Sequence, residues 1–266
     1  MKYLIQIFRT VRKESPVLYF IVWFHFLMAL GCVVGLLVDD RMLIGLNVWI
    51  KPLKFTISGG IYILTVGLLI TLYPFSEIKK HIIRNVVSWT MLLEIMIIVV
   101  QAARGVQSHY NTSSEMNGML FGMMGLLIGV NVLIMLYFII ETLRLKLHTA
   151  PSVRWAILLG WIIVFFGSWI GGQMITQLAH NVGVADGGEG LVLLNWSTVA
   201  GDLRVAHFFG LHGLQIIPVV AFVLHKTWGV SQKTQVLTVF LFGLLYICWV
   251  GFHFYQAKQG LPFIGL

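Results

Sequence analysis

Seven separate stretches of this chain are long and apolar enough to cross a bilayer, and no other feature narrows the possible folds as much. A helix needs about 20 mostly apolar residues to span the hydrocarbon. There the backbone must satisfy its own hydrogen bonds, which a single segment does only as a helix. The runs cover residues 17–38, 53–72, 82–103, 119–143, 153–178, 203–224 and 236–255. The expected fold is an all-α integral membrane protein, residues 1–266 forming one domain, a bundle of seven transmembrane helices. Hydrophobic residues make up 58% of the chain and charged residues 11%, against roughly 25% charged in a soluble domain. The lipid bilayer is the expected partner, and almost nothing is left over for a separate soluble domain.

Lysine and arginine set the expected orientation, because they accumulate in cytoplasmic loops. Twelve of the 18 fall in the N-terminal tail and the loops after the second, fourth and sixth runs. The N-terminus is then cytoplasmic and the C-terminus outside, as an odd number of spans requires. The expected location is a bacterial inner (plasma) membrane. The net charge of +8 is spread over these short loops and does not read as a nucleic-acid signal. The basic, weakly amphipathic N-terminal segment has no A-x-A-like site after its first apolar run, so we read it as retained. Cys32 and Cys248 lie in separate apolar runs and read as small buried hydrophobes. Residues 42–49 are too short to span and read as a short interfacial helix, with Trp49 at headgroup level. The loops at 105–117 and 180–201 are long, polar and glycine-bearing, and are expected to form a lid over the outer face.

Polar side chains inside the runs concentrate toward that outer face. Lys51, Lys54 and Ser58 share a face at the start of the second run, and Glu94, Gln101 and Arg104 rise along the third. Asn131 and Gln173 belong to the fourth and fifth runs, and His253 and Gln256 to the end of the seventh. The segment from Gly201 to Gln215 carries Asp202, Arg204, His207, His212 and Gln215 into the sixth. Ionisable groups at membrane depth are costly, and they mark function by default. A carboxyl at mid-membrane must be neutral, paired or wetted, so Glu94 is a proton-handling candidate. Asp202 is a second catalytic candidate and equally an N-cap, its short side chain accepting backbone N–H bonds. Arg104 and Arg204 have Asp186, Glu189 and Asp202 as possible partners.

His207 and His212 are five residues apart, so on an ideal helix they diverge by about 140°. They are not the i, i+4 pair that chelates zinc on one helix. A shared ion would need a neighbouring helix, and His253 lies at a similar depth. Two readings stand for these histidines: cofactor ligands, or hydrogen bonds across helices. Met116, Met119 and Met123 recur at helical spacing, which suits either Cu(I) or core packing. Gly59-Gly60, Gly122 with Gly125, and Gly167 with Gly171-Gly172 read as close helix contacts.

The leading expectation is an outward-facing pocket holding a transition metal or a b-type haem for redox or hydrolytic chemistry. His207, His212 and His253 would bind the cofactor, with His109 and His180 as further metal ligands. Lys51, Lys54, Gln101, Arg104, Arg204 and Gln215 would bind the small-molecule substrate. The first alternative is a non-catalytic receptor or transporter that binds a small anion through Lys51, Lys54, Arg104 and Arg204. The second is an accessory subunit whose polar residues only join helices.

Overall fold

The computed structural model describes residues 2–188 and 190–265. Among them the order is α1 (Lys2–Glu14), α2 (Pro16–Val38), β1 (Met42–Leu43), β2 (Leu46–Asn47), α3 (Ile50–Leu69), α4 (Glu77–Ala103), α5 (Glu115–Arg144), α6 (Pro151–Gln177), β3 (Asn181–Val182), β4 (Gly201–Asp202), α7 (Leu203–Thr227) and α8 (Gln232–Lys258). A 3₁₀ turn, Ile70–Leu72, extends α3. Seven of these helices are long and apolar enough to cross a membrane. Pro16 and Pro151 each open a helix, where the missing N–H costs nothing. Ser76 and Ser231 cap α4 and α8 by accepting from Lys79 N–H and Thr234 N–H. Large apolar side chains point outward, with Leu37 80% exposed and Leu126 74%. Such a surface needs lipid, not water, as its solvent.

The chain folds as two compact units, residues 1–131 and 132–266. In the first, α3 packs on α2 and α4. Gly59 and Gly60 permit the approach: an added Cβ would lie 3.3 Å from His25 Cδ2 and 3.2 Å from His25 Cβ respectively. Ile95, Ile97 and Ile98 of α4 and Met124 of α5 form a buried cluster. Ser15 separates α1 from α2, and the chain turns a sharp corner there. The Phe8 ring comes back to within 6.4 Å of Tyr19 and 5.6 Å of Trp23.

In the second unit α6 is the central helix, packed on both α7 and α8. Gly167 and Gly210 meet backbone to backbone: a Cβ on Gly167 would fall 2.7 Å from the Gly210 carbonyl carbon. Small residues allow this contact, which gives van der Waals cohesion that the bilayer does not supply. Phe138 stacks on Trp161 at 4.6 Å. β3 and β4 pair antiparallel, Asn181 with Asp202 and Val182 with Gly201, so the 180–201 loop is tied at its base.

Three sequence expectations are corrected. Residues 42–49 form no interfacial helix but a β-hairpin, Met42 opposite Asn47 and Leu43 opposite Leu46. Its two-residue turn has positive φ at Ile44 (50°) and Gly45 (73°), the backbone that tight hairpins require. A Cβ on Gly122 or Gly125 would meet nothing within 4 Å, so these two glycines of α5 join no other helix. Cys248 is exposed, whereas Cys32 is buried as expected.

Gly167→Ala should lower stability by about 1–3 kcal/mol, because overpacking a close contact forces the backbones apart. Gly122→Ala should leave it unchanged or raise it by up to about 1 kcal/mol through helix propensity. Thermal unfolding of the two variants in one detergent, compared with wild type, measures both.

Candidate functional site

The first unit gathers its polar residues where α2 and α4 end and α3 and α5 begin. α3 supplies Lys51, whose Nζ donates to His109 Nδ1 at 3.2 Å. Ser108 Oγ lies 3.1 Å from the same nitrogen. Phe55, one turn beyond Lys51, places its ring 5.8 Å from the ammonium and 5.8 Å from the imidazole. Tyr110 and Phe121 pack at 6.0 and 6.3 Å against His109. The imidazole therefore sits in an aromatic surround with Lys51 at its edge. Lys54, half-buried, follows on the same helix.

Glu94 lies deeper on α4 and is 2% exposed. Its Oε2 is buried and has no hydrogen-bond partner. Gln101, two turns further along the helix, is fully buried. Its Nε2 donates to Asn117 Oδ1 at 3.1 Å. Arg104 Nη1 donates to Gln101 Oε1 and, at 3.0 Å, to Asn117 Oδ1. No carboxylate lies within ion-pairing distance of Arg104 among the described residues. Its guanidinium is exposed and rests on neutral amides. Leu43 with residues 105–107 and 110–113 lines an open depression of about 500 Å³, Gln107, Tyr110, Asn111 and Ser113 among them. Arg41 closes one side: Nη2 donates to Asp39 at 2.7 Å and to the Ala103 carbonyl at 3.1 Å. Hydrogen bonds from Arg41 and from Trp49 hold the Asp39 carboxyl well below the usual aspartate range.

In the second unit Asp202, Arg204 and His207 are engaged in internal bonds. Asp202 is buried and N-caps α7 by accepting from Arg204 N–H at 2.9 Å. It also accepts from Ser197 N–H at 2.9 Å and from Arg204 Nη2 at 2.6 Å. Arg204 Nη2 donates to the Asn195 carbonyl as well. His207 Nδ1 donates to the Gly167 carbonyl of α6 at 2.7 Å, an interhelical bond. His212 packs edge-on to Phe208 at 4.4 Å. The Gln215 amide turns back onto its own helix, its nitrogen 3.3 Å from the Leu211 carbonyl and 3.2 Å from that of His212. His253 Nδ1 donates to Gln256 Oε1 at 2.8 Å. Its Nε2 is buried without a partner, between Phe209, Trp249, Phe252 and Phe263.

His180 begins the 180–201 loop of this unit, and its Nδ1 donates to Asp186. The backbone N–H groups of His180 and Asn181 donate to the same carboxylate at 3.0 and 2.9 Å. Burial alone would raise the Asp186 carboxyl, but the His180 side chain and those two N–H groups outweigh it and hold it at about 2. Asp186 thus partners His180 and not an arginine. Glu189 lies outside the described residues.

Within the first unit, Lys51 and His109 come together, as do Gln101 and Arg104, while Glu94 lies deeper with an unpartnered Oε2. Within the second, Asp202 joins Arg204, while His207, His212 and His253 each bond elsewhere. Among the described residues no group of three or more His, Cys, Asp or Glu is placed to hold a metal ion. Met116, Met119 and Met123 lie exposed on α5, and Met124 is buried. Sequence reasoning missed Asn111, Ser113 and Asn117, which link the 107–117 segment to Gln101. A run of Asn and Ser before an apolar helix was the available signal. No protein-family model, curated protein or solved structure matches this chain.

An aspartate held low contributes stability above its unfolded value and loses it as pH falls through its folded value. The 180–188 turn should therefore resist pepsin near pH 4, about the ordinary aspartate value, and yield as pH approaches about 2. Asp186→Asn should be cut in this turn already near pH 4. Limited proteolysis read by mass spectrometry distinguishes the two.

Proposed function

We propose that this multi-pass membrane protein binds a small anion at the outer end of its first unit, as a receptor or carrier and not as an enzyme. Lys51 and Arg104 supply the charge, His109 and the amides of Gln101 and Asn117 orient the ligand, and Glu94 handles a proton beneath it. The observation that carries this reading is the Lys51 ammonium, held against His109 in the same unit as the buried Glu94, whose Oε2 has no hydrogen-bond partner. An anion that draws Lys51 to itself leaves Glu94 without that charge. Anion binding and proton uptake at Glu94 are then linked. Arg104 favours a multi-oxygen anion such as a carboxylate or phosphate, two of whose oxygens a guanidinium meets with parallel bonds. The excess of basic residues in the opposite loops supports an outward position for this end.

The test is a thermal-shift titration with a panel of small carboxylates and phosphates. At least one should stabilise the wild type. Lys51→Gln and Arg104→Gln should each weaken it about tenfold or more, the worth of a charge-assisted bond. His207→Ala and His253→Ala should retain the affinity. Stabilisation by none of the anions, or equal losses in the histidine variants, overturns the proposal.

A second reading keeps the histidine-ligated metal or b-type haem, and His253 favours it. Gln256 fixes its tautomer by accepting from Nδ1, which leaves Nε2 as an unused lone pair, the outer-shell arrangement of a metal-binding histidine. This reading predicts a Soret band or stoichiometric metal in the purified protein, lost in His253→Ala. A colourless, metal-free protein that still binds an anion excludes it.

A further inference from the structure

The opposite end of the first unit carries a second charged surface. α1 carries Arg9, Arg12 and Lys13 on its free face, all exposed. The two acids at this end are each paired with a basic residue of α4. Lys80 donates to Glu77 at 2.9 Å. Arg84, 3% exposed, donates from Nη1 to the Glu14 carbonyl at 2.8 Å and faces the Glu14 carboxylate at 3.8 Å. That contact also satisfies a carbonyl at the C-terminal end of α1, where a cation opposes the helix dipole. Among the described residues, no carboxylate pairs with Arg9, Arg12 or Lys13.

The depth of α1 is set by its corner with α2. Val11 is fully buried, and Phe8 packs on Tyr19 and Trp23. Phe20 and Trp23 are 68% and 48% exposed on the first turns of a membrane-crossing helix. Tyrosine and tryptophan gather at the level of the lipid headgroups. A helix anchored there by its apolar face, with cations along its free face, lies in the plane of the interface. Ile5, 46% exposed, extends the same free stripe as Arg9 and Arg12.

We infer that α1 is a recognition helix for anionic phospholipid, with Arg9, Arg12 and Lys13 contacting the phosphodiester headgroups of one leaflet. Charge complementarity selects the occupant: three adjacent cations lack a protein counter-ion at the depth where lipid phosphates lie. Each basic residue near an anionic surface adds to membrane binding. Arg84 is the positioning residue, holding the end of α1 against the bundle. The inference is independent of the anion site at the other end.

The test is native mass spectrometry of the full-length protein released from nanodiscs containing phosphatidylcholine and phosphatidylglycerol. The wild type should retain phosphatidylglycerol in preference. Arg9→Gln, Arg12→Gln and Lys13→Gln together should reduce that preference about tenfold or more. Each single variant should show part of the loss, which keeps the test valid if the triple variant fails to fold. Lys226→Gln with Lys233→Gln, in the second unit, should leave it intact. Equal retention of both lipids by the wild type, or an equal loss in the Lys226 and Lys233 variant, overturns the inference. Displacement of the lipid by inorganic phosphate overturns it too, since the surface would then bind free phosphate.

Discussion

Hydrocarbon does not hydrate a carboxyl group, and Glu94 sits on a membrane-crossing helix at 2% exposure. An isolated charge in that setting is costly by many kcal/mol, so such groups are paired, neutral or wetted. The first unit answers with one flexible cation. Lys51 enters from the start of α3 and is held against His109. A long ammonium side chain suits this, because it shifts between neighbours without rearranging a helix. Arg104, by contrast, is planar and held by the amides of Gln101 and Asn117. One cation is a flexible ammonium on an imidazole and the other a guanidinium braced by two amides, both at the same end of the unit.

The second unit meets the same constraint differently. Its charged and polar groups close on one another: Asp202 with Arg204 and the Ser197 N–H, His180 with Asp186, His207 with the Gly167 carbonyl. The Gly167–Gly210 contact brings α6 and α7 close enough for that histidine bond to form. A buried pair that satisfies itself specifies geometry more than it adds stability. This contrast is why the functional reading rests on the first unit.

Much of the fold was legible in the sequence. Lipid solvation demands long apolar runs, and all seven were visible as such. Their ends were drawn too short, because polar first turns such as Glu77–Lys80 and Glu115–Asn117 continue the helix beyond the apolar part. The hairpin at 42–47 was missed because pairing is set by the turn backbone at Ile44 and Gly45, not by hydropathy. In the site, Asp202 and Arg204 were readable because they are two residues apart. The Gln101, Arg104 and Asn117 cluster was not, since a loop must fold back before residues 13 and 16 apart can touch. The bonds of His207 to the Gly167 carbonyl and of His253 to Gln256 were not legible either, because similar depth along neighbouring helices does not decide which way a side chain bonds.

The central claim is that Glu94 changes protonation when an anion takes the Lys51 charge. Infrared difference spectroscopy of the reconstituted protein, with and without a stabilising anion, observes that carboxyl directly. The account predicts that the anion induces a protonated-carboxyl C=O band that is absent in Glu94→Gln. An anion that binds without producing the band, or a band unchanged in Glu94→Gln, would contradict it.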